Sequence, residues 1–141
     1  METILKLNRW ANAHTNYGID ALRILLGAFL LYKGLFLFGS DSYEANRILE
    51  FMPGLGGNLF LIHYIAMTHV CGGIFIALGL LTRVSALLQL PILLIAVIVN
   101  SMNANNPTAL IESAASLLLS GFFLIYGSGR HSIDHSLRLH I

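Results

Sequence analysis

The sequence predicts an all-α membrane protein, a four-transmembrane-helix antiparallel bundle with a short surface helix in the first outer loop. Three observations lead there. Hydrophobic residues make up 56% of the chain and charged ones only 11%, far from the balance of soluble domains, where about a quarter is charged. Four segments approach the roughly 20 residues that a helix needs to cross about 30 Å of hydrocarbon. The links between them include short polar ones, which force antiparallel neighbours. A soluble four-helix bundle would need a polar face on each helix, and Leu59 to Leu81 and Val84 to Val99 offer almost none.

The spans run from about Ile19 to Phe38, Asn58 to Leu81, Val84 to Met102 and Pro107 to Tyr126, all within one domain over residues 1–141. Strand alternation is absent, and unpaired backbone groups are costly in lipid, so each span is expected to be a continuous helix. Thr82-Arg83 is expected as a tight turn and Asn103 to Asn106 as a short polar loop. In the long loop, Asp41 and Glu44 make a capping pair, Tyr43 to Met52 mixes apolar and charged residues at helical spacing, and Pro53-Gly54 stops it. This is the predicted surface helix.

Lysine and arginine near the helix ends set orientation. Lys6, Arg9, Arg23, Arg83, Arg130 and Arg138 fall on one side against Arg47 and Lys33 on the other. Both termini are therefore expected in the cytoplasm, with the protein in a bacterial cytoplasmic (inner) membrane. Met1 to His14 carries Glu2, Lys6 and Arg9 among its apolar residues and no small-residue cleavage site, which predicts no removable signal peptide. This stretch suits either a surface segment anchored by Trp10 or a frayed tail.

Ionisable residues within the spans are the candidates for chemistry, because such groups are costly in lipid and face a bundle interior. Counted inward from the outer helix ends, Lys33, His63 and Glu112 fall at similar depth, and His69 lies six residues deeper than His63. One reading is a pocket open toward the outer leaflet. There Lys33 and Glu112 pair, His69 and Glu112 act as the catalytic proton-handling groups, and Lys33, His63, Tyr32 and Tyr64 contact a lipophilic substrate. The structural alternative is a charge pair that fixes assembly, with His69 bonded to a serine of the last helix. Small residues mark close packing: Gly27 and Gly34 on the first helix, Gly73 and Ala77 on the second, and Ala109, Ser113, Ser116 and Ser120 on the fourth. A homo-oligomer contact is the alternative use of these faces.

Other classes fit poorly. The two span histidines are six apart, whereas one helical face presents ligands at three or four, so no metal site is expected. The lone Cys71 precludes an intrachain disulfide. Eight scattered Lys and Arg residues give no nucleic-acid footprint. Transport would need an oligomer, since four helices are few for alternating access.

The segments Ala21-Leu22-Arg23-Ile24-Leu25-Leu26-Gly27, Gly72-Gly73 through Leu81-Thr82-Arg83, and Gly127-Ser128-Gly129-Arg130-His131-Ser132-Ile133-Asp134 together resemble the DoxX family of small four-helix bacterial membrane proteins. The structural motif positions of that resemblance are Gly72, Gly73, Arg83, Arg130 and Asp134. It implies a membrane subunit linked in some members to quinone-coupled oxidation of sulfur compounds and in others to redox-stress complexes, while most members have no established activity. Many relatives carry a glutamate three residues before the glycine pair; this chain has His69, which keeps an ionisable group near the midplane. One expectation is a quinone-interacting subunit with a quinone as bound ligand; it would need a redox partner, since no flavin or dinucleotide motif and no cysteine cluster in this sequence would hold electron carriers. The competing expectation is a non-enzymatic scaffold or assembly subunit that docks a larger protein.

Overall fold

The computed structural model describes residues 17–38, 46, 50, 58–102, 106–127 and 132. Among them run four helices: α1 Tyr17–Leu37, α2 Asn58–Leu78, α3 Thr82–Ser101 and α4 Pro107–Tyr126. The described residues include no strand. By length and composition α2, α3 and α4 are suited to cross a membrane. α1 is as long, at 21 residues, and carries Asp20, Arg23 and Lys33. Its charges are paired rather than bare: Arg23 is buried and sits 3.5 Å from Asp20, and Lys33 pairs with Glu112 of α4. Paired, inward charges are the form in which hydrocarbon tolerates them.

Outward faces are apolar. Leu25, Phe60, Leu118 and Ile125 are all more than 60% exposed, a surface that suits lipid and would be an aggregation liability in water. The interior holds Leu26, Leu30, Ile76, Leu93, Phe123 and Tyr126, contributed by all four helices, and a smaller cluster of Leu37, Ile62 and Ala66.

α1 and α2 form one close pair and α3 and α4 another. Glycine makes the first possible. A Cβ on Gly27 would lie 2.5 Å from the carbonyl oxygen of Gly73, and one on Gly73 would lie 2.7 Å from the carbonyl oxygen of Gly27. The backbones therefore touch where side chains would hold them apart, which is how membrane helices gain packing energy in the absence of a hydrophobic drive.

The tight turn falls earlier than the sequence predicts. α2 ends at Leu78 rather than Leu81, and Thr82 and Arg83 open α3 instead of forming the turn. Gly79 adopts φ 68, with its N–H on the Ile76 carbonyl at 3.1 Å and the Leu80 N–H on the Phe75 carbonyl at 2.8 Å. That pair of bonds is a Schellman closure, which a left-handed glycine permits. Leu81 follows at φ 49, and the Ser85 N–H already bonds its carbonyl at 2.9 Å. The apolar run continues through Leu80 and Leu81, so hydropathy alone placed the turn too late. α1 likewise runs from Tyr17 to Leu37 rather than from Ile19 to Phe38, and α3 starts at Thr82 rather than Val84 and ends at Ser101 rather than Met102.

Arg83 then ties this closed end together. Its Nη2 donates to the Ile125 carbonyl at 3.2 Å, satisfying one of the open carbonyls at the end of α4. At the other end of the same pair Asn100 Nδ2 donates to the Ala109 carbonyl at 3.2 Å and to Ser113 Oγ at 3.3 Å. Asn106 caps α4 by accepting from the Ala109 N–H at 3.2 Å, with Pro107 at the first helical position. Of the predicted surface helix only Asn46 and Glu50 are described, both helical and exposed. Arg130 and Asp134 lie outside the described residues.

Candidate functional site

Because α1 meets α4 only slightly, and α2 meets α3 less than it meets α1, the two helical pairs leave space between them. A cavity of about 340 Å³ fills it, within the range of roughly 300–1,000 Å³ usual for small-molecule sites. Leu30, Leu37, Leu61, Ile65, Ile92, Leu93 and Ala96 make its walls apolar. Lys33, Tyr64, His69, Asn100, Asn106, Glu112, Ser113 and Ser116 bring polar atoms to it.

Lys33 and Glu112 face each other across the seam between α1 and α4, with Nζ 2.9 Å from Oε2. The ammonium also lies 5.7 Å from the centre of the Phe29 ring, within reach of its electron-rich face. Both side chains keep partial exposure, 22% for Lys33 and 36% for Glu112, so the pair stands at the cavity edge.

His69 is 8% exposed and lines the same cavity. The bond to a serine of α4 that the sequence allowed is not formed: Nδ1 has no hydrogen-bond partner among the described residues. Ser113 and Ser116, which line the cavity, are engaged locally instead. Ser113 Oγ donates to the Ala109 or Leu110 carbonyl at 2.9 and 3.0 Å, and Ser116 Oγ to that of Glu112 at 2.7 Å.

Of the residues singled out by sequence, Lys33, Tyr64, His69 and Glu112 share the cavity; Tyr32 and His63 are not among its lining residues. Tyr32 is exposed and stacks on Phe36, ring centres 6.3 Å apart. His63 is exposed, and its ring meets Phe38 edge-on at 5.8 Å. The reason is a stagger of the helices. Leu37 clusters with Ile62 and Ala66, and Gly34 sits against Ala66 and Val70, so α2 begins about a turn beyond the end of α1. Depth counted from helix ends therefore groups Lys33 with His63, whereas the histidine that shares the cavity with Lys33 is His69.

Gln89 escaped the sequence reading. It is fully buried, and its Nε2 donates to the Thr68 carbonyl at 3.0 Å, joining α3 to α2 beside His69. Gly72 makes the room, since a Cβ there would strike Gln89 Nε2. The available signal was a single amide within the run Leu87-Leu88-Gln89-Leu90, next to Pro91. Pro91 itself lines the cavity and, lacking an N–H, leaves the Leu87 carbonyl without its helical donor.

The family model described as DoxX matches residues 18–102, from α1 through the end of α3. The match stops short of the Gly127 to Asp134 stretch. No curated protein and no solved structure matches the chain.

Proposed function

Since the chain belongs to the DoxX family of membrane proteins, we propose that it is the membrane subunit of a quinone-linked redox complex, taking the ring of a lipophilic quinone into the cavity between its helical pairs. One observation carries this reading: a mostly apolar cavity with an ion pair at its edge and a buried histidine nitrogen on its wall that has no partner among the described residues. A buried polar atom without a partner is costly, and a ring carbonyl or hydroxyl would relieve it.

A quinone supplies two-electron, two-proton chemistry when bound. The chain's own residues then have separate tasks. Leu30, Ile65 and Leu93 exclude water around the ring. His69 orients one ring oxygen and can hold or release a proton at Nδ1. Lys33 places positive charge near developing negative charge on oxygen, and Glu112 neutralises Lys33 in the resting site and can carry a proton to the cavity edge. Electrons come from a partner protein, because the sequence holds no motif for a flavin, dinucleotide or iron–sulfur cluster. In this reading the membrane is a bacterial inner membrane, the termini are cytoplasmic, and the cavity faces the opposite leaflet.

A scaffold role is the second reading. It is favoured by the same Lys33–Glu112 pair acting as a tie between α1 and α4. The deciding experiment is organic extraction of the protein purified in mild detergent, followed by titration with a short-chain quinone. Retained quinone, and affinity weakened about tenfold in His69→Leu for the loss of one hydrogen bond, supports the redox reading. No quinone in the extract and no saturable binding leaves the scaffold.

A further inference from the structure

The buried face of α3 carries Thr82, Ser85 and Gln89, and that of α4 carries Ser113, Ser116 and Ser120. Each step along either helix is three or four residues, a rise of about 5 Å, which one water spans with a hydrogen bond at each end. Small polar residues alone would also suit close packing. The independent observation is that His69 Nδ1, Gln89 Oε1 and Ser120 Oγ are all buried without a hydrogen-bond partner among the described residues.

These three atoms belong to three helices at one level. The bond from Gln89 to the Thr68 carbonyl sets Gln89 beside His69. The antiparallel register of α3 and α4, fixed by Arg83 on Ile125 at one end and Asn100 on Ala109 at the other, sets Ser120 opposite Gln89. Such a group in a lipid-embedded bundle calls for internal water, which needs two to four polar partners. On one side of the level lie Ser85, Thr82 and the Asp20–Arg23 pair. On the other lies the cavity, which reaches Asn106 at the far end of the bundle.

We propose that the bundle holds a water-filled proton path, running from the Asp20–Arg23 end through Thr82, Ser85, Gln89 and Ser120 to His69 and the cavity. A proton entering at one membrane face is passed along hydroxyls and waters and an equivalent proton leaves at the other, so the bonds of the chain are unchanged overall while one positive charge crosses the membrane. Glu112 offsets the charge of Lys33, which would otherwise repel protons at the cavity edge.

The test uses the full chain in vesicles of synthetic phosphatidylcholine, loaded with a pH-sensitive dye and given a potassium diffusion potential with valinomycin. These vesicles contain no quinone, so the result is separate from the redox reading. Wild-type vesicles should change internal pH faster than protein-free ones, Gln89→Leu should return the rate to the protein-free level, and Gln89→Glu should retain flux. Ser120→Ala removes one hydroxyl with little disturbance of packing and should slow the flux even if Gln89→Leu fails to fold. Wild-type flux no faster than that of empty vesicles, or unchanged flux in folded Ser120→Ala and Gln89→Leu, would overturn the path.

Discussion

Lys33 Nζ stands 2.9 Å from Glu112 Oε2, a polar tie between the two helices that touch least in the ring of four. Removing either partner leaves the other charge at the cavity edge without its counter-charge. Lys33→Met and Glu112→Leu should therefore each destabilise by about 2 kcal/mol, whereas the double variant should lose less than the sum, with a coupling of about 1–2 kcal/mol. Unfolding equilibria in mixed micelles measure this. Additive losses would mean that the two groups do not interact in the folded bundle.

Gly27 and Gly121 offer a matched pair of glycine substitutions. A Cβ at Gly27 would come within 2.6 Å of the Ala77 nitrogen as well as the Gly73 carbonyl, both backbone atoms with no freedom to yield. At Gly121 the same carbon meets nothing within 4 Å. Gly27→Ala should cost about 1–3 kcal/mol by prising α1 from α2, and Gly121→Ala should be neutral or slightly stabilising. Thermal unfolding in detergent, compared side by side, distinguishes them.

How far the sequence disclosed this arrangement depends on what each feature rests on. Lipid demands long apolar runs, so four helices were legible, and so were opposite charges such as Lys33 and Glu112, which hydrocarbon forces to pair. The turn was misplaced by three residues because Leu80 and Leu81 prolong an apolar run past Gly79, whose left-handed backbone is the physical stop. Site membership depends on stagger between helices, as the offset of Leu37 against Ile62 and Ala66 shows, and no hydropathy pattern encodes stagger. Gln89 was hidden for the same reason. Its bond to Thr68 exists only because Gly72, on another helix, has no side chain.

Arg83 donates to the Ile125 carbonyl from the first turn of α3, and its guanidinium packs 3.1 Å from the site of a Cβ on Gly127. Arg83→Met should lower stability by about 1–2 kcal/mol, the worth of a hydrogen bond from a charged donor. Arg83→Lys should recover only part of this, because a point charge does not reproduce the planar fork. Denaturation midpoints of the three proteins at equal protein-to-detergent ratio give the comparison, and a lysine variant equal to wild type would argue against a directed bond.

Gly72 and Gln89 should behave as one unit. Methyl addition at Gly72 drives the Gln89 amide from its pocket and breaks its 3.0 Å bond to the Thr68 carbonyl. A displaced amide in a buried, lipid-surrounded position is costly, so Gly72→Ala should destabilise by about 2 kcal/mol. Gln89→Ala alone should cost a similar amount, through a cavity and the lost bond. In the Gln89→Ala background, however, the new methyl at Gly72 no longer meets the three Gln89 side-chain atoms nearest to it and partly fills the void. The double variant should thus be no less stable than Gln89→Ala alone, a non-additivity of about 2 kcal/mol, as expected for residues in direct contact. Strict additivity of the two losses would place the Gln89 side chain away from Gly72.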